Sequence, residues 1–286
     1  MDSKHFGLVA AQQLFQVEDL HYGFWDAGES PTLGKFLQAQ TRHTEFLFQY
    51  LESAVGERAN AKILDSGCGV GVVAQKLLAN GYRVDALVPS DWMAQQARER
   101  AAQFADDGRG AVFECRFEDY PLDALKEKYA VVYFSESFQY VGLKSAFTVL
   151  NQLLDENGKV VIFDFFKKDG VPGKSPLGGG HSMEKFYTTV AEFGYDITVD
   201  EDVTENLSPN LQLIHDVLVQ RVVPFSQTLA RFLSTRYPKT YRIFRFLLRK
   251  RLDKLAFKYS EKRNEENFKK YKSYRMIVLQ RASSVI

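Results

Sequence analysis

The chain of 286 residues is short of several things, and each shortage closes off a class of protein. It has two cysteines, Cys68 and Cys115. They stand far apart, without the paired spacing of a metal site or the density of a disulfide framework. Two reduced thiols in a cytoplasmic protein are the simplest account, and no metal is expected. No apolar run approaches the roughly 20 residues of a membrane-spanning helix. Residues 1–13 lack the basic start and apolar core of a secretory leader, so none is expected. There is no internal repeat and no low-complexity segment. The net charge is only +1, so the chain as a whole is no polycation.

What is present is ordinary at first sight. Hydrophobic residues make up 45% and charged residues 26%, enough to bury a large core without staples. The length suits one large domain, or one domain with a sizeable insertion. The charge, however, is unevenly placed. Residues 236–275 hold 15 Lys and Arg against 4 Asp and Glu, so the rest of the chain is acidic.

Patterning divides the chain. A short aromatic stretch, Leu20-His21-Tyr22-Gly23-Phe24-Trp25-Asp26, precedes a helical pattern over 32–55. Strands and helices then alternate. Strands are expected at 62–65, 82–88, 111–116, 129–135, 159–166 and 196–203, with a last one at 274–280. Helices are expected at 72–80, 91–104, 144–154 and 182–193. Asn157-Gly158 reads as a turn, and 168–181 as a loop rich in Gly and Pro. A long helical stretch from 209 to about 271 interrupts the sheet before its last strand. Such alternation implies right-handed βαβ units and an α/β fold, a parallel sheet covered on both faces.

The chemistry concentrates in Ile63-Leu64-Asp65-Ser66-Gly67-Cys68-Gly69-Val70-Gly71. A strand ending in an acid runs into a glycine turn, and a helix follows. Glycines let the backbone turn sharply and let a ligand approach the main chain. The following helix start can receive a carboxylate or phosphate. Nicotinamide and flavin dinucleotides use a related turn, but with a G-x-G-x-x-G spacing. Here the spacing is G-x-G-x-G.

Residues 64–71 resemble the first motif of class I methyltransferases, LDxGCGxG. The likeness covers roughly residues 18–205 and the closing strand. It implies a Rossmann-like seven-stranded sheet with N-terminal helices, a helical insertion before an antiparallel last strand, and S-adenosylmethionine as cofactor. Asp65, Ser66, Gly67, Cys68, Gly69 and Gly71 would then cradle the donor's amino-acid part. Residues 1–60 are expected to form a helical lid, 61–206 and 273–286 the core, and 207–272 an insertion capping the substrate pocket.

Most members end the second strand with an acid for the ribose. Here that place is Val88, in Val88-Pro89-Ser90. An uncharged residue there is similar to a branch that includes cyclopropane fatty acid synthases and tocopherol, sterol and natural-product sugar methyltransferases. Ser90 or Asp91 can hold the ribose instead, or simply cap a helix. The same branch places an aromatic–Glu pair beside the adenine, where Phe117-Glu118 stand. The ring would stack on the base, or it is a Phe tucked under a loop. Ser135, ending the fourth strand, is assigned to the donor as well. Many members also carry an HYGFWD-like segment folded over the donor, which residues 20–26 resemble. Aromatic rings can exclude water and face a sulfonium. The alternative is a hydrophobic anchor for the N-terminal helices.

The catalytic group is less sharply marked. Cyclopropane synthases have Glu-His where Gln139-Tyr140 stand, and they hold a bicarbonate base with a Cys from the N-terminal segment. Gln139 lacks the charge and that segment has no cysteine, so simple methyl transfer is favoured over cyclopropanation. Five histidines remain as candidate bases: His5, His21, His43, His181 and His215. His21 leads, with Tyr22 and Tyr140 beside it as candidate catalytic residues. Tyr22, Trp25, Gln139, Tyr140 and His181 are expected to line the substrate pocket. Transfer to an amine or an ionised acid needs no base, because alignment and desolvation supply most of the rate.

The segment 236–259 is basic, with an aromatic and leucine stripe. Three roles fit: a cap on the substrate chamber, a helix packed on the body with a solvated basic face, or peripheral contact with an anionic membrane. No recognised nucleic-acid module accompanies it, and no nucleic-acid partner is expected. A small, largely apolar acceptor fits the aromatic content. The oligomeric state is not specified by any of these features. A non-catalytic protein that keeps the fold to bind a partner is the third alternative, after methyl transfer and alkene methylation.

Overall fold

A computed structural model describes residues 3–58, 60–107, 109–242 and 263–282. Seven strands form one sheet in the order β3-β2-β1-β4-β5-β7-β6. They are β1 (Lys62–Ser66), β2 (Arg83–Leu87), β3 (Val112–Phe113), β4 (Tyr129–Ser135), β5 (Leu154–Lys167), β6 (Tyr195–Asp202) and β7 (Lys272–Arg281). β7 runs antiparallel between β5 and β6, and β1 to β5 are parallel. The expected Rossmann-like sheet with an antiparallel last strand is therefore present.

Each central strand is apolar on both faces because both are covered. Ile63, Val131, Tyr133, Val161 and Phe163 point to one face. Leu64, Val132, Phe134, Val160 and Ile162 alternate to the other. The first face is packed by α2 (Leu33–Val55), α3 (Val72–Ala79) and α4 (Asp91–Ala101). The second is packed by α5 (Leu143–Leu153) and α6 (Met183–Glu192). A further helix, α1 (Ser3–Phe15), leads the chain.

Three expectations about elements change. The third strand spans two residues, not six, since after Phe113 the chain turns to pack Phe117 inward. The turn at Asn157-Gly158 is absorbed into β5 as an irregularity, where the pairing of β4 jumps from Leu154 to Lys159. The long helix after Pro209 is broken. A short α7 (Thr204–Leu207) precedes it, and its described parts are α8 (Pro209–Val217), a wider π-helical turn over Leu218–Val222, α9 (Val223–Arg236) and α10 (Glu265–Tyr271). Most of the basic stretch 236–259 lies outside the described residues.

The aromatic segment 20–26 is fastened to this helical region. Asn210 accepts from Gly23 N at 2.8 Å and donates to Gly23 O at 2.7 Å. Asn206 donates to Trp25 O at 2.9 Å, and Trp25 N donates back to Asn206 O at 3.0 Å. A Cβ on Gly23 would sit 2.6 Å from the Ala39 methyl, so only glycine allows this approach to α2.

Candidate functional site: a cleft at the ends of β1, β2 and β4

The chain reverses its winding between β1 and β4, and open α/β sheets bind ligands at such a point, beyond the carboxyl ends of the strands. A cleft of about 580 Å³ opens there. Asp65, Gly67, Cys68 and Gly69 come from the turn after β1, and Val88, Pro89 and Ser90 from the end of β2. Ser135 comes from the end of β4, and Leu8 and Gln12 of α1 lie across the opening.

Gly67, Gly69 and Gly71 all have φ in the left-handed region, at 86°, 57° and 86°. A Cβ on Gly67 would collide with Ser137, and one on Gly71 would come 2.9 Å from the Ala97 Cα. Gly67 thus lets β4's end close on the turn, whereas Gly71 serves the crossing of α3 and α4. Ser90 both lines the cleft and caps α4, its Oγ accepting from Met93 N at 3.5 Å.

Asp65 is 3% exposed, and its Oδ2 has no hydrogen-bond partner. Burial raises its pKa from 3.8 to about 7; the nearby Tyr133 hydroxyl pulls it back and Asp19 pushes it further up. The Tyr133 hydroxyl is also buried without a properly aligned partner. Unpaired buried polar atoms of this kind are costly and mark a place for a ligand group. Burial also pushes the Cys68 thiol well above its usual range, so it is not a reactive thiolate.

The far end of the cleft holds a cluster that sequence reasoning passed over. Glu136 follows β4 with φ at 55°, a left-handed conformation that costs a non-glycine residue about 1–3 kcal/mol. Its Oε1 accepts from Tyr22 N at 2.8 Å and from the Tyr274 hydroxyl at 2.9 Å. His43 Nε2 is 3.7 Å away. Burial raises the Glu136 pKa to about 8, against the pull of these hydrogen bonds, with Asp164 adding repulsion. Burial, and then His21, hold His43 well below the usual histidine range, so it is neutral. Its ring is sandwiched between Phe163 at 4.4 Å and His21 at 4.6 Å. His21 lines the cleft, and its Nδ1 faces the Tyr22 carbonyl at 2.8 Å. A nitrogen facing a carbonyl carries the hydrogen, which leaves Nε2 as the basic one. Tyr140, 75% exposed, stands at the cleft mouth.

Several expected site residues are elsewhere. Trp25 is 1% exposed, its indole N–H bonded to Asn210 at 3.1 Å, in a core with Val17, Phe36 and Leu213. It anchors the N-terminal segment and does not line the pocket. Gln139 is consumed by Asp164, to which it donates both main-chain and side-chain N–H groups, at 3.0 and 3.2 Å. His181 Nε2 lies 3.1 Å from the Phe138 carbonyl, with its ring edge-on to Phe138. Phe117 is 2% exposed and edge-on to Phe134, so its faces are not offered to a base. Glu118 accepts from Gly142 N at 3.4 Å at the start of α5. Ser66 is buried, its carbonyl bonded by the Ser137 hydroxyl. Asp19, Met93, Tyr133, Glu136 and Ser137 line the cleft instead. Only Glu136, an acid directly after an apolar strand, carried a signal in sequence.

A second, apolar cavity of about 480 Å³ lies between α1 and α8. Ala10, Leu14, Phe15, Phe36, Leu213 and Val217 form its walls, and Tyr22 and Arg263 reach it. Leu20 borders both cavities.

Residues 63–158 match the profile of a family described as a methyltransferase domain. Over these residues the chain is thus similar to a methyltransferase domain. The matched segment holds the glycine turn, β2 and β4. An uncharacterized methyltransferase of Geobacillus thermodenitrificans is 27% identical over 117 residues, 41% of this chain and 53% of that protein. The chain thus matches about half the length of this curated relative. Among solved structures, a protein assigned as a sarcosine dimethylglycine methyltransferase of Galdieria sulphuraria superposes with a TM-score of 0.71 at 17% identity, over 96% of this chain and 97% of that one. The geranyl diphosphate C-methyltransferase of Streptomyces coelicolor A3(2), in complex with Mg2+, geranyl-S-thiolodiphosphate and S-adenosyl-L-homocysteine, gives 0.64 at 17%, over 94% and 91%. At such identities these likenesses fix the fold, and nothing finer.

Proposed function

We propose that the protein transfers a methyl group from S-adenosylmethionine to an O, N or C atom of a small, largely apolar acceptor. The observation that carries this reading is the meeting of a carboxylate-lined cleft with an apolar cavity at Leu20. When bound, S-adenosylmethionine supplies a methyl carbon activated by a sulfonium. The residues present suit it. Asp65 would hold the ammonium with its unpartnered Oδ2, and Gly67 and Gly69 would let the amino-acid part lie on the main chain. Val88, Pro89, Ser90 and Met93 would flank the nucleoside. Asp19, Asp65 and Glu136 face the cleft, and no Lys or Arg is among the described residues lining it, which favours a cationic ligand.

The chain's own contribution is alignment and exclusion of water. Residues 1–60 act as the lid and 207–272 as the cap, with α1 over the donor cleft and α8 against the apolar cavity. Glu136 is placed to accept a proton at its carboxylate from an acceptor hydroxyl or carbon acid. His21 Nε2 is the second candidate base, and the Tyr22 and Tyr140 hydroxyls orient the acceptor. The two thiols fit a cytoplasmic setting. Among the described residues, no helix is long and apolar enough to cross a membrane.

The buried acids Glu136 and Asp164 favour a second reading, methylation of an alkene through a carbocation, in which the same carboxylate removes a proton. The two readings share the donor. Titration calorimetry with S-adenosylmethionine should show binding to the cleft. No heat and no competition by S-adenosylhomocysteine would sink both.

A further inference from the structure

The helical region before β7 leaves apolar surface that the body of the protein does not cover. In α9, Phe225, Leu229 and Phe232 fall on one face at helical spacing and are 69%, 45% and 58% exposed. Val219 and Val223, at 38% and 43% exposed, add apolar surface where the segment leaves α8, with Val223 on the other side of the helix from Phe225. Gln227, Arg231 and Ser234 lie on the opposite side, and Thr228 and Thr235 flank the face. None of the 14 residues of α9 is buried.

The charge around this face has one sign. Between Asp216 and Asp253 the sequence contains no acidic residue, yet nine Lys and Arg. Arg221, Arg231, Arg236, Lys239 and Arg242 of that run are described, and all five are exposed. An acid-free basic segment with exposed phenylalanines is complementary to one kind of surface in particular. The phenylalanines enter the boundary between headgroups and acyl chains, and the cations meet anionic headgroups. A protein partner would need a matching acidic groove, whereas a bilayer needs only negative charge and apolar depth.

The position of the face strengthens the argument. α8, the π-helical turn and α9 are consecutive, and Val217 and Leu218 at their junction form part of the apolar cavity's wall. Leu14, 49% exposed, lies on the cavity's other side. The helix with the apolar face therefore follows directly in the chain on the wall of the apolar cavity.

We propose that the α8–α9 arm docks the protein on an anionic lipid bilayer. The surface itself is independent of the methyl-transfer reading. Only the corollary, that the acceptor enters from the lipid phase, rests on it.

The full-length protein should be sedimented with vesicles of phosphatidylcholine alone and of phosphatidylcholine mixed with phosphatidylglycerol, without donor or acceptor present. Binding to the mixed vesicles is expected to be at least ten-fold tighter and to weaken as salt rises, each basic side chain being worth about five-fold in partitioning. F225D/F232D should lower partitioning at least ten-fold, since each buried ring contributes about that much. R231E/R236E should lower it similarly on mixed vesicles only. Both variants should keep the parent's melting temperature and S-adenosylhomocysteine affinity, so a loss of binding cannot be put down to unfolding. Three results would overturn the proposal: no binding to either vesicle, equal binding to both, or parental binding by F225D/F232D. A dimer in light scattering that F225D/F232D dissolves would assign the face to a second copy of the chain instead.

Discussion

Replacing Asp65 by Asn separates the cost of burying this acid from its use. Burial shifts the carboxyl from 3.8 to about 7. Such a group is ionised in about one molecule in eleven at pH 6 and in about ten of eleven at pH 8. If Asp65 must be ionised to pair with an ammonium, affinity for S-adenosylmethionine falls about ten-fold from pH 8 to pH 6. Near pH 7 each binding event releases about half a proton. Calorimetry in two buffers of different ionisation heat reads that release directly. Asp65→Asn should abolish the release and weaken binding about ten-fold or more, the loss of a charge-assisted hydrogen bond. Stability of the unliganded protein should move the other way. The folded carboxyl keeps its proton to higher pH than the unfolded one, so the folded state is penalised as pH rises from about 4 toward 7. By pH 7 the shift corresponds to about 4 kcal/mol, and the Asn variant should recover a sizeable part of it as a higher melting temperature above pH 6. Wild-type affinity that is flat from pH 6 to pH 8, with equal heats in both buffers, would refute the reasoning.

Other perturbations test other parts of the site. Glu136→Gln should leave donor binding within a few-fold while removing a limb of the rate profile that rises through about pH 8, read by methyl transfer once an acceptor is found. Gly67→Ala must meet Ser137 and a left-handed φ, so calorimetry should show donor binding reduced at least ten-fold and the melting temperature should fall. Trp25→Ala opens a hole in the packing of α8 and should cost about 3–5 kcal/mol by denaturant titration. Phe117→Leu should cost about 1 kcal/mol of stability and leave S-adenosylhomocysteine affinity unchanged, because the ring is buried against Phe134 and does not line the cleft.

The sequence was most legible where one short stretch had to satisfy many constraints. Asp65 to Gly71 combine a strand end, three left-handed glycines and a helix start, and few chemistries need all of them. The sheet was legible for a related reason. Strands buried on both faces must be continuously apolar, as at 129–135 and 159–166. Trp25, Phe117 and His181 were misplaced because residue type does not report direction. An aromatic ring in a motif can face a ligand or the core, and here the core took it. Glu136 and Asp19 were missed because their roles depend on burial and on partners far along the chain. Asn210 was invisible for the same reason. Its amide serves Gly23 and Trp25, more than 180 residues away.

Glu136 Oε1 has a consequence for the order in which the protein comes to exist. It is met by the amide of Tyr22, 114 residues earlier, and the hydroxyl of Tyr274, 138 residues later. Contacts of such separation close late in folding, after the local βα units have formed. A chain emerging from the ribosome can therefore assemble the glycine turn between β1 and α3 long before its buried acid is held in place. The part that would grip a reactive donor matures ahead of the part that would use it. A protein cut short before β7 would lack one of the two hydrogen bonds that hold this acid, along with the strand that pairs with β5 over nine residues. Completion of the last strand thus decides when this acid gains its second hydrogen bond.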